Sequence, residues 1–511
     1  AGYAPASRLA GGLSEIVVAQ GSTAVENPTG IVTHYGYEND TPSPDNAALP
    51  QMVPANLASP AEAQKTEPDK NTYLVFKNGL PGADQTYDYG TEFLFQGHEN
   101  GAGSPKQGFL TRINLDADAT HRVTVLATKD DKGNPIATID GSTWDPWAQR
   151  LLLTTENTSA PTYAATPGYP STVEDVSGAL GRGGYEGIQN DSDGNLWIVE
   201  DIGGSNKPGT TAKAPNSYIY RYVPAKPGDL HNGRLQALQV LNVHGQPITF
   251  ASQSGLNGPD QLALHSYGNT FATRWVHVHD TATDGNAPFV ANPLARAAGA
   301  TPFKRPENGV FRPGTKFGEF FFTETGDTNA TSAENGSVAG GDGGAGGWGG
   351  LFRLSQSSPS ASTGRLSLFW RGNQAVTGLD NIQFLSANLL TAVEDAGDAL
   401  HSQRNALDSG YVFDASRSDY AGTTNPPRWL AEGRDPSATL DSANGGFGKN
   451  DGDNEITGVH VSDGSTGTNG VLGAGKPSLA DGRWRWFYTE QHGDNRTFEV
   501  VPTAKRDHSG D

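Results

Sequence analysis

The chain of 511 residues contains no cysteine. Disulfides, thiolate metal ligands and cysteine nucleophiles are therefore excluded, and any metal must be held by oxygen or imidazole. Methionine occurs once, at Met52, so the chain does not begin at its own start codon, which suits removal of a targeting peptide. No apolar run is long enough to span a bilayer. Positive charge is also scarce: 36 Lys and Arg face 56 Asp and Glu, a formal net charge of −20. Such a chain repels nucleic acid and anionic membranes, and the charge favours solubility. Helix-period stretches are few, whereas 66 Gly and 32 Pro make the chain turn-rich. The fold class this predicts is all-β.

What is present is a recurrence. An acidic residue stands just before a short β-like run at Asp140, Glu186, Asp260, Glu307, Asp380 and Glu455, in TIDGSTW, GYEGIQN, NGPDQLAL, KRPENGVF, TGLDNIQF and DNEITGVH. Most of these segments continue through a polar turn into an apolar strand that ends in acid: DPWAQRLLLTTEN (145–157), NDSDGNLWIVED (190–201), FRPGTKFGEFFFTET (311–325) and FLSANLLTAVED (384–395). The acids lie about 46 to 75 residues apart, the scale of one propeller blade with insertions. A single Asp-Gly or Glu-Gly is only turn chemistry, so the argument rests on acid, turn and strand recurring together. Six equivalent blades predict a six-bladed β-propeller over 71–500. An N-terminal arm (1–70) would wrap it, containing the strand-like SEIVVAQ (14–20), and a polar tail (501–511) would follow. Carboxylates placed alike on innermost strands would point at one axis. They would be intolerable there without cations, which predicts a metal site.

Other motifs carry less. The Gly-rich 337–350 lacks G-K-[ST] and reads as a loop. NDSDGN (190–195) reads as a hairpin turn, whereas NDGDNE (450–455) leads straight into the sixth acid. VHVHD would set His277 and His279 on one strand face, as a metal pair or as solvated histidines. His98-Glu99 suits either a channel mouth or structural hydrogen bonding. There is no G-x-S-x-G elbow and no H-E-x-x-H helix.

In TPFKRPENGVF (301–311), Arg305 stands two positions before Glu307, with Pro306 between them. On an extended segment both side chains share one face, and a guanidinium beside a carboxylate-bound metal suits a phosphate or sulfate. A plain Arg–Glu surface pair fits that segment equally when it is taken alone.

Together FLFQGHEN (93–100), DGSTWDPWAQRLLLTTEN (140–157), YEGI (185–188), FKRPEN (303–308), LDNIQF with LLTAVEDAG (379–397), and NEITGVHVSDG with EQHGD (454–494) resemble the PhoX-type alkaline phosphatases. These are secreted bacterial six-bladed propellers. The resemblance implies hydrolysis of small phosphate monoesters, several calcium ions with an iron in the channel, and a periplasmic, secreted or cell-surface location. Carried over by position, it makes Glu186, Glu307 and Asp380 metal ligands and Arg305 the catalytic phosphate clamp. Asp140 stands where the family has a metal-binding cysteine. A carboxylate there suits Ca2+, and Fe3+ would have to be held without a thiolate. Two further readings stay open: a non-catalytic calcium-stabilised surface-layer, filament or adhesive subunit, and a calcium-dependent esterase or lactonase.

Overall fold

The computed structural model describes residues 7–30, 32–36, 66–101, 107–206, 212–249, 258–327, 346–404, 406–423, 425–433, 455–491 and 495–503. The fold is all-β, and the longest helix among these residues is Gly397–Arg404. Strands follow one another as antiparallel neighbours, in the order of the chain. The first sheet runs Pro68–Val75, Glu92–Gly101, Gln107–Asn114, Val123–Ala127, and the second Ser142–Asp145, Arg150–Leu153, Tyr163–Ala165, Val173–Asp175. Tyr185–Asn190 opens a third run that ends at Phe271–Asp280. Gly309–Phe311 opens a fourth that ends at Thr363–Arg371, and the two outer strands pair from Phe271↔Leu366 to Arg274↔Thr363, which joins the third and fourth runs in one nine-stranded sheet; each run is numbered as a sheet below. Leu379–Phe384 and Glu455–Ser462 open the fifth and sixth.

Strands such as Leu196–Glu200 and Glu319–Glu324 are apolar without polar alternation because both of their faces are covered. Alternation instead decides which core a side chain enters. Leu196 and Ile198 pack with Leu152 and Tyr220, towards the second sheet. Trp197 and Val199 pack with Phe320 and Phe352, towards the fourth. Comparable cores join the fourth sheet to the fifth, the fifth to the sixth, the sixth to the first and the first to the second.

Hydrogen bonds between the first two strands of neighbouring runs, or residues next to them, follow the same circuit. Thr72 meets Ser142 at 2.7 Å, and the Thr154 hydroxyl donates to the Glu186 carbonyl. Gly187 N–H donates to the Glu307 carbonyl at 2.8 Å, and the Thr323 hydroxyl donates to the Asp380 carbonyl at 2.8 Å. Asn381 donates to Thr457 at 3.1 Å and Asn71 to the Gly458 carbonyl at 2.7 Å, which returns to the first sheet. Gly141 is required by this closeness: a Cβ there would lie 1.9 Å from the Glu186 carbonyl oxygen.

The N-terminal segment is built into sheet edges. Arg8–Leu9 pairs with Arg428–Ala431 in the fifth sheet, and Leu13–Ala19 pairs with Arg496–Pro502 in the sixth. The first opening strand begins at Pro68, ahead of the boundary drawn at residue 71. The tail from residue 504 lies outside the described residues.

Candidate metal centre

Antiparallel pairing sets the geometry of the site. The start of each opening strand lies beside the end of the second strand, as in Pro68↔His98, Ser142↔Leu153, Tyr185↔Glu200, Leu379↔Glu394 and Glu455↔Gln491. An acid at or just before the start of the first strand therefore meets an acid at or just after the end of the second. Three of the opening strands also change register at the acid, between Pro68 and Asn71, Tyr185 and Ile188, and Leu379 and Ile382. Such bulges re-aim one side chain out of the pleat, and Asp69, Glu186 and Asp380 fall inside them.

Three groups of carboxylates result: Asp69, Glu99 and Asp140; Asp140, Glu156 and Glu186; Glu186, Glu307 and Asp380. Within each group the facing oxygens lie within 4.8 Å of one another. Asp140 and Glu186 are each shared, so the groups form one continuous run. All are buried except Glu99, which is half-buried, and Glu156, which is exposed. Burial pushes the carboxyls of Glu99, Asp140, Glu186, Glu307 and Asp380 well above their ordinary range, and their neighbours' charges push further. Asp69 is pushed up to about 7 by burial and by Glu156, and Asp395 to about 6 by burial and by Asp408. At an effective dielectric of 20, two like charges about 4 Å apart repel by about 4 kcal/mol.

Amides hold the run in place. Asn381 donates to both Asp380 oxygens at 3.0 Å, and Gln491 donates to Asp69 at 3.1 Å and Glu99 at 2.8 Å. The buried Lys70 ammonium donates to Asn381 at 2.7 Å and the Val459 carbonyl at 2.9 Å. Burial lowers its pKa to about 8 against the pull of Asp380, Asp69, Asp140 and Glu186.

Of the six acids in the recurrence, Asp140, Glu186, Glu307 and Asp380 are brought together. Half-buried Glu455 opens the sixth sheet at the same end, and its carboxyl is raised by burial and by Asp395, Asp380, Asp69 and Glu99, but it joins none of the three close groups. Asp260 is placed elsewhere, which corrects the expectation that it lines the axis. It lies in the first turn of the helix Pro259–Leu264, accepting from Asn242 at 3.1 Å. Pro-Asp in NGPDQLAL is helix-start chemistry, with proline at the first position and an acid in the first turn. Asp69 and Lys70 were not singled out from the sequence, Glu99 was noted there with His98 as suiting a channel mouth or structural hydrogen bonding, and Glu156 and Asp201 lie in the segments noted there only as strands ending in acid. Asp69 had the same signal, an acid just before the strand-like run of PDKNTYLV.

Arg305 meets Glu307 at 3.5 Å and is forked onto Asp201, with Nε at 2.9 Å and Nη2 at 2.6 Å from Oδ2. The segment is not extended at Arg305, whose φ is 54°. A non-glycine residue in the left-handed region is held there by its surroundings, and such residues collect at functional sites. Lys304 Nζ is paired with Asp327 at 3.1 and 3.2 Å.

The histidines are otherwise engaged. His98 lies between Thr66 and Thr111, its pKa pushed down to about 3 by burial. His279 bonds the Gly285 carbonyl and stacks on Phe289, while His277 is exposed beside Asp284. In the turn 190–195, Asp191 accepts from Asp193, Asn195 and Trp197, and Asp193 and Asn195 bond Ser360, whereas the buried side chain of Asn190 has no hydrogen-bond partner among the described residues. Residues 450–454 of NDGDNE and 492–494 of EQHGD lie outside the described residues.

No curated protein sequence matches the chain. Among solved structures, Pseudomonas fluorescens PhoX in complex with vanadate, a transition state analogue, is similar with a TM-score of 0.58 at 12% identity, over 98% of this chain and 96% of that one. That likeness shows a shared fold. A fungal alcohol oxidase of the AA5 family, in complex with copper, gives a TM-score of only 0.33 at 10% identity, over 85% of this chain and 76% of its own. The model of the family described as alkaline phosphatase PhoX matches residues 210–471, just over half of the chain. The chain belongs to the PhoX alkaline phosphatase family.

Proposed function

We propose that the chain is a metal-dependent phosphoric monoester hydrolase, built as a six-bladed propeller with several calcium ions in its channel. The observation that carries this reading is the run of three linked carboxylate groups ending beside a forked arginine. The donor set fits the ion. The three groups contain only carboxylates, hard oxygen donors that suit calcium, and the chain has no thiolate to favour iron. Asp69, Glu99, Asp140, Glu156, Glu186, Glu307 and Asp380 would hold the cations. When bound, these would neutralise the carboxylates, polarise phosphoryl oxygens and make water a nucleophile at moderate pH.

The chain's own residues supply the rest. Asp201 fixes the guanidinium plane of Arg305, and the left-handed backbone at Arg305 turns it towards Glu307. So held, Arg305 would take two phosphoryl oxygens in parallel hydrogen bonds and stabilise the charge that grows on them. No side-chain nucleophile is required.

The test is metal analysis of the purified protein together with an aryl-phosphate assay, with and without a calcium chelator. Bound calcium and chelator-sensitive hydrolysis are expected. Hydrolysis that survives exhaustive chelation would overturn the metal reading. A calcium-loaded protein inert towards every phosphoester would favour the non-catalytic alternative.

A further inference from the structure

Of the cations Arg305, Lys304 and Lys213 beside the carboxylate run, the first two hold carboxylates directly. Asp201 is occupied by the Arg305 fork. Asp327 is occupied by Lys304 Nζ and by the backbone N–H of Lys213, at 3.1 Å. Lys213 itself is half-buried, in the field of Arg305, Asp201, Asp327 and Glu307. Yet among the described residues no carboxylate reaches its ammonium as an ion pair. The ammonium stands beside the turn that follows Asp201. Among the described residues, a Cβ on Gly203 would meet only Lys213 Nζ within 4 Å, at 3.8 Å.

We propose that Lys213 is a second oxyanion-binding cation, which acts with Arg305 on the same phosphate and sets a preference for monoesters over diesters. The proposal rests on the phosphatase reading above. Its physical basis is charge. A phosphomonoester presents two negative charges near neutral pH and a diester one. A planar guanidinium holds one pair of oxygens, whereas a compact ammonium on a flexible stem can follow the third. An ammonium already half removed from water, with no carboxylate of its own, gains most from the extra charge of the monoester.

The experiment compares wild type with Lys213→Met and Lys213→Arg, all loaded with calcium. Inorganic phosphate binding is followed by calorimetry, and hydrolysis with an aryl phosphate and a bis-aryl phosphate. Lys213→Met should keep its melting temperature and calcium content, weaken phosphate binding about tenfold or more, and raise KM for the monoester with little change in kcat. Its kcat/KM for the diester should stay near that of wild type, and Lys213→Arg should restore most of the monoester preference. Unchanged phosphate binding in Lys213→Met, or equal losses on both esters, would overturn the role of Lys213 and leave the phosphatase reading standing. A wild type that neither binds phosphate nor cleaves the monoester would overturn both.

Discussion

The candidate centre has two unlike sides. On one, Asp69, Glu99, Asp140, Glu156 and Glu186 follow one another within mutual reach, with Lys70 buried beside them. On the other, Arg305, Lys304 and Lys213 stand among Asp201, Asp327 and Glu307. The first side stores repulsion that only protons or added cations can relieve. The second carries its counter-charges in the polypeptide, as a fork and a buried ion pair. The two sides should therefore answer in opposite ways to metal, pH and loss of a charge.

Removing metal is the largest perturbation. Chelation should abolish hydrolysis and lower the melting temperature, because a ligand bound only by the folded state stabilises it. The loss should depend on pH with a definite sign. A carboxyl whose pKa is raised by folding contributes stability below its ordinary value, and the contribution disappears as pH rises through the folded value. For Asp69 that window runs from 3.8 to about 7, and for Asp395 from 3.8 to about 6. Moving Asp69 that far costs its ionised form on the order of 4 kcal/mol. Metal-free protein should thus melt lower at pH 8 than at pH 5, and calcium should flatten the dependence. Calorimetry across pH, with and without chelator, measures this. A flat metal-free profile would show that the anionic side stores no repulsion.

Glu186→Gln tests the same side by one atom. Glu186 belongs to two of the three carboxylate groups. Its loss should lower calcium content and cost more than the roughly 10–100-fold typical of residues that merely support metal ligands. In metal-free protein the same change should raise the melting temperature, because one buried like charge is gone. Arg305→Lys, on the other side, should leave calcium content intact and reduce turnover on the order of a hundredfold, since an ammonium cannot reproduce the fork. It should give no gain in metal-free stability, because Asp201 loses hydrogen bonds. A matching stabilisation in both variants would erase the distinction between the sides.

Much of the anionic side could be read from the chain, because an acid before each opening strand is a local signal. Asp140 and Glu186 carry that signal, as do Glu307 and Asp380 next to them, and the structure links the four through shared groups. Asp69 carries it too, but it precedes the first boundary drawn and so fell into the arm. Of the second members, Glu156 was visible only in a strand ending in acid, and Glu99 as suiting a channel mouth or structural hydrogen bonding. Antiparallel register, set by contacts between distant residues, is what carries Glu99 to Asp69 and Glu156 to Asp140. The cationic side was less legible. Arg305 was found beside Glu307 through two-residue spacing, but its left-handed backbone and its fork on Asp201, 104 residues away, have no local signature. Nor had Lys213, whose meaning depends on which nearby carboxylates are already occupied.

The smallest expected effect belongs to Asp260→Asn. Asp260 carries the acid signal without the strand, and its carboxylate accepts from Asn242 at the start of a short helix. Asparagine keeps an oxygen for that bond and gives up only the favourable charge in the first helical turn, worth about 0.3–1 kcal/mol. Calcium content, hydrolysis and the metal-free pH profile should match wild type, with a melting temperature lower by a few degrees at most. The comparison with Glu186→Gln is direct, because each change replaces one carboxylate of the recurrence by its amide. Loss of calcium from Asp260→Asn would extend the anionic side to a sixth acid and undo the assignment of this helix to the outside of the centre. A variant unchanged in metal content isolates the opening strand, rather than the acidic tract, as the feature that builds the site.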